Sequence, residues 1–276
     1  ERERTEGSRA TRGARPQPYS SNAMLLAPEE PSPFEIVEGR PDSHYLITVD
    51  HAGRRIPECL ENLGVDELDL ARHIAWDIGA AALGRALAER LGAWTILQTY
   101  SRLVIDCNRP LESETLFVTR SEDTDIPGNV GLTEDERAAR VEHIFKPYHE
   151  RIEQELARRD AAEQPSIVVL LHSFTPQFRE DVRKWHGGVL YGRDARLARP
   201  LLELLRAERG LVIGDNEPYA VSDTSDYGAI VYGERAGRLH VEIEVRQDLL
   251  ESESGVEEWA ERLARLLPLA TERARG

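Results

Sequence analysis

Cysteine is nearly absent from this 276-residue chain: Cys59 and Cys107 are the only two, and their spacing fits no metal-binding pattern. Both read as buried small hydrophobes and receive no chemistry. Long apolar runs are missing too. No stretch approaches the roughly 18 to 20 residues that cross a bilayer, and no pattern of basic, apolar and small-residue regions marks a signal peptide. A cytosolic protein without a membrane partner is expected. Positive charge is also scarce, with 35 Lys and Arg against 50 Asp and Glu and a net charge of -15. Since no Lys/Arg run occurs outside the N-terminal tail, nucleic acid is not an expected partner. An acidic field also repels anions at long range, so any anionic substrate has to be captured by placed arginines.

Methionine occurs once, as Met24. The tripeptide Ser21-Asn22-Ala23 before it reads as a protease-cleavage scar, and residues 1–23 are rich in Arg, Glu, Ser and Pro with almost nothing to bury. That tail is expected to be disordered and non-native. Residues 24–276 are read as a single domain, since nothing in the middle resembles a linker and 40% hydrophobic residues suffice for a substantial core.

What is present alternates between strand and helix signals. Tyr45 to Val49 and Ser166 to Leu171 are apolar runs of strand length, and each delivers a histidine at its exit, His51 and His172. Asp66 to Leu91 reads as one helix on the spacing of Leu70, Ile74, Ile78, Leu83, Leu87 and Leu91, with Gly92 as its stop. Strands are expected at Trp94 to Gln98 and, briefly, at Leu103 to Ile105. The polar, turn-rich stretch from Leu111 to Leu132 is a candidate lid. Thr133 to Glu136 forms a capping box for a helix running to about Arg159, with a kink expected at Pro147. Further strands at Gly188 to Tyr191 and Leu211 to Ile213 flank a helix from about Ala195 to Arg209. Strict alternation over Leu239 to Val245 sets His240, Glu242, Glu244 and Arg246 on one strand face, and a last helix carries Val256, Trp259, Leu263 and Leu266. This order predicts an α/β fold, a mixed, largely parallel sheet with helices on both faces.

Two imidazoles at strand exits suggest a metallohydrolase, because an open α/β sheet places its site outside the carboxyl ends of its strands. Three protein ligands and one open position are usual for catalytic zinc, and Asp77, among Ile74, Trp76 and Ile78, is the candidate third. The segment from Tyr100 to Pro110 holds the densest polar cluster. Arg109 offers a bidentate fork for a substrate carboxylate, and Asn108 can add a hydrogen bond. Arg102 suits an oxyanion, while Asp106 can orient an arginine or contact the metal. Glu244 is the candidate proton carrier, and Glu242 competes with it on geometry. Against these readings stand a satisfied core histidine, a surface aspartate, an internal ion-pair cluster and a solvated strand face.

Six ordered segments, from Asp50 to Pro57, Arg72 to Gly79, Tyr100 to Arg109, Leu171 to Pro176, Gly214 to Tyr219 and Glu244 to Leu249, together resemble the N-formylglutamate amidohydrolase family, in particular a less characterised branch. The resemblance covers about Tyr45 to Leu250. It implies a fold like that of zinc carboxypeptidases and succinylglutamate desuccinylases, and zinc at His51 and His172. By the same likeness Asn108 and Arg109 resemble a carboxylate-binding pair, Arg102 an oxyanion-stabilising arginine and Glu244 a catalytic glutamate. Three departures stand out: Arg54 replaces a glutamate ligand three residues after the first histidine, Tyr232 stands where relatives often have histidine, and Arg54 and Arg55 bring positive charge beside the expected metal.

The expected function is zinc-dependent hydrolysis of an N-acyl amino acid, an N-formyl one first, with that small molecule as partner. The alternatives are a carboxypeptidase-like metallopeptidase and a non-catalytic binder of small carboxylates.

Overall fold

The computed structural model describes residues 25–276, so the expected tail lies outside the described residues. The chain runs through β1 (Phe34–Val37), β2 (Tyr45–Val49), a short α1 (Glu67–Leu70), α2 (Ala80–Leu91) and β3 (Trp94–Gln98). A small hairpin follows, β4 (Arg120–Ser121) with β5 (Thr124–Asp125), then α3 (Glu134–Arg140), α4 (Lys146–Ala161) and β6 (Ile167–Phe174). A second hairpin, β7 (Gln177–Phe178) with β8 (Asp181–Val182), leads to β9 (Gly187–Leu190), α5 (Ala198–Arg206), β10 (Ile213–Asp215), β11 (Leu239–Arg246) and α6 (Glu253–Arg275).

Seven strands make one sheet in the order β1-β3-β2-β6-β11-β9-β10. The central four, β3, β2, β6 and β11, run parallel, while β1 and the β9-β10 pair run against them. Side chains of a strand alternate between faces, so β6 sends Val169 and Leu171 one way and Val168 and Leu170 the other. The first face is covered by α2, α5 and α6 through Leu83, Leu87, Leu201, Trp259 and Leu263. The second is covered by the α3-α4 region through Ile144, Tyr148 and Ile152. Each such leucine or isoleucine withdrawn from water contributes about 1.5 to 3 kcal/mol. An α/β architecture with a mixed, largely parallel sheet and cover on both faces is thus the observed fold.

This register builds the site. His172 continues the parity of Val168 and Leu170, and the parallel pairing sets Glu242 beside Leu170 and Glu244 beside His172. Polar side chains therefore replace the second-face core at the carboxyl ends of the parallel strands, where adjoining loops can reach them.

Two expected elements differ. The helix predicted over residues 66–91 breaks after Leu70 and restarts at Ala80, because Gly79 adopts φ +83° with Leu250 packed where its side chain would be. That break frees Asp77, whose N–H donates to the His51 carbonyl at 2.9 Å. Leu103 to Ile105 is a turn, not a strand. Its carbonyls are taken by side chains instead of a ladder, Leu103 O by Asn129 Nδ2 and Val104 O by Arg140 Nη1. The expected capping box at Thr133 is present, and the helix it starts widens to a π-turn over Val141–Phe145 just before Pro147. Strand β1 and both hairpins have no counterpart in the periodicity reading. No described helix is long and apolar enough to cross a membrane.

Candidate metal centre and substrate cavity

Three buried side chains from distant parts of the chain meet at the sheet edge. His51 Nδ1 lies 3.4 Å from Asp77 Oδ2, and His172 Nδ1 lies 2.9 Å from the same oxygen. One ligand atom from each of the three falls within 4.8 Å of the others. Elements position each one: His51 lies in the turn just after β2, His172 is held inside β6, and Asp77 stands in the loop before Gly79. The Ser173 N–H also donates to Asp77 Oδ2, at 3.2 Å.

Outer groups fix the far nitrogen of one ring. His51 Nε2 is 2.7 Å from Asp106 Oδ1. Burial opposes ionisation of Asp106, but Arg102 and His51 overcome it and hold the carboxyl well below its ordinary range. As an ionised carboxylate accepts only, Nε2 carries the proton. When the ring is neutral, as a metal ligand must be, Nδ1 is then the lone-pair nitrogen, and it is buried without a hydrogen-bond partner. Beyond His172, Nε2 also has no partner, with Asp50 Oδ2 at 3.7 Å and the Tyr148 hydroxyl donating to Asp50 Oδ1 at 2.6 Å. Two imidazole nitrogens and one carboxylate oxygen that converge, with carboxylates behind the rings, fit the donor set of catalytic zinc. Replacing Asp106 by asparagine is expected to weaken zinc binding about 10- to 100-fold. Competition against a chromophoric chelator measures this, and an unchanged affinity would remove Asp106 from the support of His51.

The triad forms part of the wall of a cavity of about 500 Å³ whose lining also includes Arg102, Asn108, Arg109, Glu242 and Glu244. Every site residue read from the sequence is thus in one place. Arg102 gives Nε and Nη2 to Asp106 at 3.2 and 2.7 Å, and its Nη1 stands 3.6 Å from Asp77 Oδ1. The backbone N–H groups of Tyr227 and Gly228 both donate to Asn108 Oδ1, at 3.0 and 3.3 Å. This fixes the amide orientation and leaves Nδ2 as its free donor. Arg109 spends Nε on Thr115 Oγ1 and Nη1 on the carbonyls of Asn108 and Ser225. Burial pushes Glu244 up to about 7 against the opposing charge of His172, and it drives Glu242 well above the usual carboxylate range, with Asp226 and Glu244 adding repulsion.

Some expectations need correcting. Arg54 and Arg55 do not face the triad: they line a separate cavity with Trp76, Ala81 and Leu97. Gly53 before them packs so tightly on the end of β3 that a side chain on it would strike the Thr99 carbonyl. Tyr232 is not at the triad either. Burial pushes His149 down to about 3, so its neutral ring donates from Nε2 to the Cys107 carbonyl at 2.9 Å and accepts from the Tyr232 hydroxyl at 2.6 Å. Arg246 is drawn to Asp248 and to the carbonyls of Arg183 and Trp185. The segment from Leu111 to Leu132 buries Leu116, Phe117 and Ile126 and gives Thr115, Val118 and Ser121 to the cavity, so it serves as a wall. Asp50 and Tyr148 escaped the sequence reading. An aspartate beside a strand-end histidine was a usable signal for Asp50, but nothing local marks Tyr148, which lies 98 residues away.

The chain is similar to several known proteins. Residues 43–251 match the sequence profile of the N-formylglutamate amidohydrolase family. The N-formylglutamate deformylase of Pseudomonas aeruginosa is 31% identical over 126 residues, 42% of this chain and 46% of that protein. Its namesake from Pseudomonas putida is 30% identical over 123 residues, 41% and 45% of the two chains. The chain thus spans about half the length of the curated relatives it matches. A gene product of Agrobacterium tumefaciens of known structure is 34% identical, with a TM-score of 0.88 over 91% of this chain and 100% of that one. The N-formylglutamate amidohydrolase of Ralstonia eutropha, 19% identical, shares the fold with a TM-score of 0.66 over 89% and 99%.

Proposed function

Since the chain belongs to the N-formylglutamate amidohydrolase family, we propose that it hydrolyses the amide bond of an N-acyl amino acid, N-formylglutamate foremost, with zinc held by His51, Asp77 and His172. The observation that carries this reading is the convergence of His51 Nδ1, His172 Nδ1 and Asp77 Oδ2 on the wall of a cavity that also presents Glu244 and Arg102. Zinc so held supplies Lewis acidity and lets water ionise near neutral pH.

The protein's own groups do the rest. Glu244 takes a proton as water adds to the acyl carbon, then returns it to the leaving amine nitrogen as the C–N bond breaks. Its pairing with His172 puts it at the triad, and a carboxyl near 7 can both accept and release a proton at neutral pH. Glu242, one pleat deeper and held protonated, suits that exchange less. Arg102, fixed by Asp106, presents Nη1 to the developing oxyanion. Asn108 Nδ2 and the remaining face of Arg109 receive the α-carboxylate.

Elemental analysis paired with formate release from N-formyl-L-glutamate tests the reading. About one zinc per chain and turnover abolished by a chelator are expected. Zinc-loaded protein that releases no acyl group from any N-acyl amino acid would count against it, as would full turnover by rigorously metal-free protein.

A further inference from the structure

A second cationic group stands behind the cavity wall, apart from Asn108 and Arg109. Arg183 is 5% exposed and makes no ion pair among the described residues, and its Nε is buried without a partner. Aromatic rings surround it, with the guanidinium carbon 4.7 Å from the Tyr219 ring centre, 5.2 Å from Phe178 and 5.8 Å from Phe174. All three rings line the cavity. A buried guanidinium without a carboxylate is costly, and in so acidic a protein its lack of an acidic partner calls for one from outside. Arg183 reaches the cavity through one contact: Nη1 donates to the Tyr219 hydroxyl oxygen at 2.7 Å. With that oxygen accepting, the Tyr219 proton is left to be given to something in the cavity. The donation also polarises the hydroxyl and makes it a stronger donor toward an anion.

We propose that Tyr219, backed by Arg183, is the specificity-determining pair of this site and receives the substrate's second carboxylate, that of its side chain. The two cationic groups share no hydrogen bond. Arg109 is tied to Thr115 and Ser225, Arg183 to Tyr219 and the Thr175 carbonyl. A substrate with one carboxylate leaves the second group unpaired, whereas a dicarboxylate satisfies both. The site is the one assigned above, so this inference rests on the amidohydrolase reading and adds which residues read the substrate's side chain.

The test compares N-formyl-L-glutamate, N-formyl-L-glutamine and N-formyl-L-norleucine on zinc-loaded wild type, Tyr219→Phe and Arg183→Met. Wild type is expected to prefer glutamate. In Tyr219→Phe, which keeps the ring against Arg183, kcat/KM for glutamate should fall about 10- to 100-fold, mainly through KM, with the other two substrates within about 2-fold. Arg183→Met should do the same where it folds, and Tyr219→Phe decides where it does not. An unchanged preference in Tyr219→Phe, or an equal loss of kcat on all three substrates, overturns the assignment while leaving the amidohydrolase reading intact. Wild type inactive on all three overturns both.

Discussion

Replacing Glu244 by glutamine should lower kcat on N-formyl-L-glutamate by about 10²- to 10⁴-fold while leaving zinc bound and KM within a few-fold of wild type. The carboxylate is neither among the converging ligand atoms nor among the groups assigned to the substrate's carboxylates, so its loss should fall on the chemical step. Steady-state kinetics alongside metal content checks this. A loss confined to KM, or one that Glu242→Gln reproduces in full, would move the proton carrier elsewhere.

The same substitution should stabilise the metal-free protein, in a pH-dependent way. Burial raises the folded-state Glu244 carboxyl from 4.5 to about 7, opposed by His172, so the folded chain holds a proton that the unfolded chain has released. Between those values stability falls as pH rises, and above 7 the whole cost of burying the charge is present, on the order of 3 kcal/mol at most. Glu244→Gln removes that cost. Its metal-free form should melt above wild type at pH 8 and with it at pH 4, which thermal unfolding of chelator-treated protein measures. A group proposed for catalysis thus weakens the metal-free fold, and a divalent cation bound beside the carboxylate would relieve the strain by favouring its ionised form.

How far the sequence revealed this arrangement depended on whether the signal was local. His51 and His172 stood out because an apolar run of strand length ends at each, and the alternation in β11 set Glu242 and Glu244 on one face without reference to the rest of the chain. Asp77 was visible as a carboxylate among apolar neighbours, yet periodicity buried it in a helix. The helix instead stops at Leu70 and restarts after the left-handed Gly79, where Leu250 leaves no room for a side chain, and the intervening loop turns the carboxylate to the histidines. Leu103 to Ile105 misleads for a related reason, since apolar residues also suit a buried turn when Asn129 and Arg140 donate hydrogen bonds to its carbonyls. Tyr148 behind Asp50, and Arg183 behind Tyr219, rest on contacts spanning 98 and 36 residues, which no short pattern records.

His172→Ala is expected to have the other large effect, taking zinc content from about one per chain to near zero and turnover down by at least about 10³-fold. In metal-free protein, zinc and protons should compete there. Burial opposes a charge on His172, but the hydrogen bond to Asp77 and the charge of that carboxylate win and hold its imidazole well above the ordinary value. Conversely, despite burial, His51 and His172 hold Asp77 well below the usual carboxylate range. His172 therefore contributes stability that is complete below about pH 6.5 and is lost as pH rises through its raised value. Asp77 contributes stability above its ordinary value near 3.8, lost as pH falls through its depressed one. Without metal the triad is consequently held by its own ion pair between those limits, with a proton on the His172 nitrogen that faces Asp77. Zinc must expel that proton, so apparent affinity should rise with pH and binding should release protons into weakly buffered solution, as calorimetry in buffers of different ionisation enthalpy would reveal. Affinity independent of pH from 6 to 8, or a His172→Ala protein that keeps its zinc, would mean that the metal lies elsewhere and that the triad is a structural ion-pair cluster.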